Sequence, residues 1–244
     1  MKRLKKLSCI LLILILVLQI PVMAAVGDKS AGTYARTNTN GIFKKIYSLQ
    51  SNNDIKYSLT ITNCTVKQAT KIMLDFEAKY CPYYGLYFRV EKNGKNANIR
   101  FNSKIIKEGV DGSKKNASSM KKTLNKIVTK KMTQKQKATA IQKYVSKTLK
   151  YRGDIGNINQ ALKKKKGNCI AYAQYFEALC KAAGISCVRQ LGDAYDIEGW
   201  GYHTWNKVKI SGKWYYVDCC WAKTDPTYGI SKSLWKDHRV GYAL

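Results

Sequence analysis

Residues 202–218 constrain the fold of this chain more than any other segment. Residues 202–210 (Tyr-His-Thr-Trp-Asn-Lys-Val-Lys-Ile) alternate, Ser211-Gly212 turns, and residues 213–218 alternate back. That pattern predicts a β-hairpin. A symmetric loop centred on Ser211-Gly212 pairs Ile210 with Lys213 and Trp205 with Asp218. His203, two residues from Trp205, is then a diagonal neighbour of Asp218 on one sheet face. An imidazole and a carboxylate can meet at that spacing, so the turn alone predicts a His–Asp couple. His238, the only other histidine, lies near the C-terminus with no comparable partner in the sequence. There is no CxxC pair, and two histidines in different contexts predict no zinc site. No cofactor is expected.

A second constraint lies upstream. Gly167-Asn168-Cys169 opens a predicted helix with Ile170, Ala173, Phe176, Cys180 and Ala183 as its apolar stripe, and Gly184 closes it. Cys169 falls in the first turn, where unpaired backbone N–H groups and the helix dipole favour an anion. A thiol there tends toward the reactive thiolate. The four lysines 163–166 add positive potential just upstream. The position suits a nucleophile, with His203 as base and Asp218 as the acid that orients it.

These residues resemble the transglutaminase-like (papain-like) superfamily. The resemblance is carried by G-N-C at 167–169 with its helix ending A-G-I at 183–185, H-T-W at 203–205, and W-Y-Y-V-D at 214–218 followed by Trp221. It covers roughly residues 117–225 and implies a nucleophile at Cys169, a base at His203 and an orienting acid at Asp218. It also implies thioester-mediated acyl transfer or hydrolysis on peptide amide bonds, with a protein or peptide as substrate. The segment after the aspartate departs from the family, with Cys219-Cys220 where Thr or Pro is common. The group completing an oxyanion hole is not fixed by motif; Tyr151, Gln160 and the backbone N–H of Cys169 are the candidates. Residues 193–200, read as a loop rich in acids and aromatics, are expected to line the acyl or acceptor site. Trp200, Trp205 and Tyr151 are the expected substrate contacts.

Charge bears on the partner. Forty-four Lys+Arg against 15 Asp+Glu give +29. The cations are mostly Lys, whereas base readout and bidentate phosphate binding favour Arg. The first six residues hold four cations, an apolar run follows from Leu7 to Ile20, and Val22-Met23-Ala24-Ala25 offers a small-residue cleavage site. Residues 1–25 therefore read as a signal peptide, with an uncleaved anchor reaching Val26 as the other reading. Removing the four leader cations takes +29 to +25. The expected location is secreted, at the cell envelope, with no nucleic-acid partner. An anionic envelope polymer or membrane surface would suit the charge, and an inactive binding module for such polymers is the alternative function.

The fold class expected is α+β. A nucleophile helix packs on an antiparallel sheet in a papain/transglutaminase-like core, preceded by a small β-α-β-β unit. Residues 26–53 read as a flexible segment and 54–113 as a small α+β domain. The polar stretch 111–116 reads as a breaker, and 114–244 as the catalytic domain. Seven cysteines follow the leader. Cys180 with Cys187, and Cys219 with Cys220, are potential disulfides. Cys64 and Cys81 flank a 15-residue helix and lie too far apart to bridge.

Overall fold

The computed structural model describes residues 28–242, so the leader reading of residues 1–25 lies outside the described residues. Two hydrophobic cores share one long helix.

The first core is built on a four-stranded sheet of order β1-β2-β4-β3: β1 (Lys29–Ala35), β2 (Lys56–Thr62), β3 (Arg89–Asn93) and β4 (Asn96–Asn102). In β4 the alternation is explicit, because Ala97, Ile99 and Phe101 are buried and Asn98 and Arg100 between them are not. Helix α1 (Thr39–Ser48) crosses between the parallel pair β1 and β2, and α2 (Val66–Tyr80) follows β2. Thr65 and Gln68 cap α2 reciprocally, each side chain taking the other's backbone N–H. Ile72, Met73 and Phe76 then fall on its buried face.

This corrects the flexible reading of residues 26–53 over its described part, residues 28–53. The stretch is polar overall, but Ala31 of β1 and Ile42 and Ile46 of α1 are almost wholly buried. Three well-spaced apolar residues suffice when a neighbouring strand supplies the hydrogen bonds.

The segment 111–116 is corrected too. It is the interior of α3 (Ser103–Ile127), whose first turn is capped by the Asn102 side chain. Gly112 reads as a breaker, yet a Cβ there would come within 2.3 Å of the Tyr84 ring, and one at Gly109 within 2.4 Å of Leu86. These glycines let the chain entering β3 lie directly on the helix. The N-terminal half of α3 (Ile106, Val110) belongs to the first core, and its C-terminal half (Met120, Leu124) to the second.

The second core gathers α4 (Gln134–Thr148) and α6 (Cys169–Ala182) against a four-stranded antiparallel sheet of order β10-β7-β8-β9. Its strands are β7 (Cys187–Asp196), β8 (Gly199–Ile210), β9 (Lys213–Val217) and β10 (His238–Tyr242). Between α4 and α6 run β5 (Lys150–Tyr151), α5 (Ile158–Lys164) and β6 (Lys166–Gly167). Ile210 pairs with Lys213 and Asn206 with Val217, the register expected from the turn. Val208 and Ile210 face α6, and Asn206 donates to the Ala173 carbonyl at 3.1 Å. Residues 193–200 are corrected from a loop to paired strand. Asp193 pairs with Tyr202 and Asp196 with Gly199, so only the tip at Ile197-Glu198 turns. Among the described residues no helix is long and apolar enough to cross a membrane.

A buried Arg189 joins the two halves. It pairs with Glu77 of α2 and lies 2.8 Å from Glu177 of α6. Glu77 also accepts the Leu86 N–H at 2.9 Å.

Strands β7 and β10 approach closely at Gly192. A Cβ there would lie 2.1 Å from the Arg239 carbonyl and 2.8 Å from the Trp205 ring. Gly192→Ala is therefore expected to displace β10 and destabilise the fold by about 1–3 kcal/mol. Thermal melting checks it, and an unchanged melting temperature would contradict the close approach.

Candidate active site

Asn168 caps α6, its side chain accepting the N–H groups of Ile170 at 3.1 Å and Ala171 at 3.3 Å. Cys169 is the next residue, at the first helical position, and its N–H is left out of that cap. Its side chain is almost buried, at 8% exposure. Gly167, just upstream, has no room for a side chain, since a Cβ would lie 2.7 Å from that of Ala171. The chain therefore enters the helix tightly, which fixes where the thiol points.

Across from it stands His203 on β8. His203 Nε2 lies 2.7 Å from Asp218 Oδ2, and the ring's hydrogen-bond partners include Cys169. The ring is thus held by a carboxylate, with the Cys169 thiol close enough to act on its charge. Burial works against the charged imidazole, but hydrogen bonds and charge at Asp218 and Cys169 outweigh it and push the pKa up to about 10. For Asp218, burial opposes ionisation, but His203 and His238 lower its pKa below the ordinary carboxylate value. Its other oxygen, Oδ1, accepts the backbone N–H of Cys220 at 2.8 Å and of Trp221 at 3.2 Å. Cys219-Cys220 thus forms the turn that caps Asp218. Both cysteines are buried, and burial raises both thiols.

The sequence did not place His238 here. Its Nε2 lies 3.3 Å from Asp218 Oδ2 and its Nδ1 2.7 Å from Asp237 Oδ1. β10 pairs with β7, setting His238 opposite Ala194, and β7 in turn sets Gly192 opposite His203. The partner is brought by sheet order, not by nearby sequence. The reading of two histidines in different contexts is corrected accordingly. Ligand atoms of His203, Asp218 and His238 lie within 4.8 Å of one another. His203 Nε2 and His238 Nε2 both converge as hydrogen-bond partners on Asp218 Oδ2, so the trio forms a hydrogen-bonded chain.

Trp205 is corrected as a substrate contact. It is wholly buried, stacked beside His203 with centroids 6.1 Å apart, and it meets His238 edge-on at 5.0 Å. It forms the wall behind the histidines. Trp200 is exposed and carries the Arg239 guanidinium 3.3 Å above its ring. Trp200 and Tyr202 are both exposed near the β7–β8 tip. Tyr151 is 63% exposed, and it feels the charges of Cys169, Asp196 and Glu198. Gln160 is exposed on α5, and only its backbone is seen to bond, to Asn157. All seven described cysteines are free thiols. Cys180 and Cys187 touch as hydrogen-bonded thiols.

Residues 121–219 match the family model of the transglutaminase-like superfamily. A 72-residue stretch is 37% identical to the kyphoscoliosis peptidase of Mus musculus and 35% identical to that of Homo sapiens. The stretch is 25% of this chain and spans a tenth of the length of either relative. Among solved structures, one described as a candidate cysteine protease from Cytophaga hutchinsonii is similar at 14% identity and a TM-score of 0.41. It covers 60% of this chain and 65% of that one. A TGase is similar at 14% identity and a TM-score of 0.33, over 77% of this chain and 58% of that one.

Proposed function

Residues 121–219 being a transglutaminase-like domain, we propose that the protein is a cysteine enzyme that opens peptide amide bonds through a thioester on Cys169. The observation that carries this is the His203 ring held by the Asp218 carboxylate, 2.7 Å away, with the Cys169 thiol, at a helix start, close enough to act on its charge.

The chemistry follows from that arrangement. The Cys169 proton rests on His203, and the thiolate attacks the amide carbonyl carbon. The carbonyl oxygen becomes an oxyanion, and the Cys169 N–H, outside the Asn168 cap, supports it. His203 returns the proton to the amide nitrogen, the C–N bond breaks, and the amine or ammonia leaves. Asp218 holds the ring with Nε2 turned inward and stabilises the imidazolium. Water or a second amine, deprotonated by His203, then attacks the thioester and frees Cys169. Water makes the enzyme a peptidase or amidase, and a lysine amine makes it a cross-linker. The acids Asp196 and Glu198, at the β7–β8 tip, suit a basic group on the acceptor or the substrate. We place the protein outside the cytosol, on the strength of the leader in residues 1–25.

The test is alkylation of the folded protein by iodoacetamide from pH 5 to 11, with the adduct located by mass spectrometry. A raised His203 pKa keeps the imidazolium up to about pH 10. Its contribution to stability is complete below the ordinary histidine value of 6.5 and is lost as pH rises through about 10. Cys169 is therefore expected to label fast at pH 6, and His203→Ala to abolish that fast labelling. Labelling that starts only near pH 8.5, the ordinary range for a free thiol, would overturn the proposal.

A further inference from the structure

Beyond the Cys169–His203–Asp218 set, a second imidazole sits on the same carboxylate oxygen as His203. His238 Nε2 lies 3.3 Å from Asp218 Oδ2, and the chain continues outward from there. His238 Nδ1 meets Asp237 Oδ1 at 2.7 Å, and the Tyr228 hydroxyl donates to Asp237 Oδ2. The His238 side chain is wholly buried, and Asp237 is 30% exposed at the outer end. Four rings hold the imidazole: Trp205 at 5.0 Å, Trp221 at 4.9 Å, Trp235 at 4.9 Å and Tyr228 at 5.7 Å. A buried neutral histidine needs an acceptor at one nitrogen only. This one has a carboxylate oxygen within reach of each nitrogen.

We infer that His238 is a positioning residue: it anchors the Asp218 oxygen on which His203 turns, and by sharing that oxygen it limits how strongly Asp218 draws on the His203 proton. This rests on the proposed role of His203 and Asp218. The groups that set the proton balance are all in the chain. Cys169 and Asp218 face His203, Asp218 and Asp237 face His238, and Tyr228 faces Asp237. Asp237 is lowered in pKa, with burial opposing and its bonds to Tyr228 and His238 prevailing. It stays an acceptor. Asp218 Oδ1 is already held by two backbone N–H groups, so Oδ2 is the oxygen left to move. With His238 removed, Oδ2 has His203 as its sole side-chain donor, the imidazolium is favoured further, and the carboxylate is free to turn.

The experiment compares wild type, His238→Phe, His238→Gln and Asp237→Asn, with circular dichroism confirming that each is folded. The pH dependence of Cys169 alkylation is the first readout. In His238→Phe the alkaline limb is expected to rise by about half a pH unit or more. His238→Gln retains an amide donor and is expected to shift less. Asp237→Asn, which weakens the outer acceptor, is expected to shift the limb the same way by a smaller amount. On an amide substrate, kcat is expected to fall about tenfold in His238→Phe at unchanged KM. The second readout is the His203 Nε2–H proton resonance, which needs no reactive thiol. It is expected to move in His238→Phe and in Asp237→Asn. If wild-type Cys169 shows no activated labelling, the enzyme proposal fails, and the resonance still decides whether His238 governs the Asp218–His203 bond. An unmoved resonance and limb in folded His238→Phe overturn the inference. Should that variant not fold, an unmoved resonance and limb in Asp237→Asn overturn it.

Discussion

Asp218→Asn is expected to lower acyl transfer by about four orders of magnitude while leaving the protein folded. The four groups around this side chain all act as donors: His203 Nε2, His238 Nε2 and the N–H groups of Cys220 and Trp221. An amide offers one accepting oxygen and turns an N–H₂ toward the remaining donors. If the oxygen stays with the two backbone groups, the N–H₂ faces His203, and the ring must accept there. The proton then moves to the nitrogen that faces Cys169, so the base can no longer take the thiol's proton. The measurement is kcat/KM on an amide substrate, with near-ultraviolet circular dichroism as the fold control. A loss under tenfold would mean that Asp218 does not set the tautomer. There is also a pH signature. Asp218 is lowered below its ordinary value of 3.8. Its contribution to stability is present above 3.8 and is lost as pH falls through the lower folded value. Acid unfolding is therefore expected to lose one stabilising step in the Asn variant.

The largest effect on stability is expected at Arg189. Its guanidinium is 5% exposed and is the cation shared by Glu77 and Glu177. Arg189→Ala leaves two carboxylates facing each other across a closed interface. Breaking such a buried set by removing one partner costs about 3–5 kcal/mol. In a chain of this length that is a fall of roughly 10 °C in melting temperature. Replacing all three charges together, with Arg189→Met, Glu77→Gln and Glu177→Gln, is expected to recover most of the loss. Melting within a degree or two of wild type for Arg189→Ala would show that water reaches the pair. Glu177 already carries the strain: burial pushes it up to about 7, against the pull of Arg189. A carboxyl raised on folding favours the native state at low pH. Its contribution is therefore present below its ordinary value of 4.5 and declines as pH rises through about 7.

What was legible in the sequence followed from local rules. The Ser211-Gly212 turn fixed a register, and a register fixes which side chains meet two strands' width away. The pair His203 and Asp218 came from that arithmetic. The Gly167-Asn168-Cys169 start announced α6 for the same reason, since an N-cap is read within four residues. Failures came where the deciding contact is distant in sequence. Gly112 looks like a breaker until Tyr84 arrives to use the missing side chain. Trp205 reads as an exposed aromatic beside a site until β10 brings His238 against it. His238 itself lacks any local signal, because its partner Asp218 is 20 residues away and reaches it through the order of three strands. β1 was missed because a strand with one wholly buried residue takes its support from β2 rather than from its own pattern.

Helix α3 has a consequence for how the molecule is made. Its 25 residues span roughly 37 Å, and no single core supports all of it. On a chain synthesised from the N-terminus, the first core closes when Ile106 and Val110 emerge and dock. The helix is then already nucleated, which is the costly step for any isolated helix. Residues 111–127 extend a helix whose first turns are anchored, and so present Met120 and Leu124 before α6 exists. The helix that carries Cys169 is thus expected to meet a preformed seat. The N-terminal module is expected to act as an assembly guide for the module that follows it.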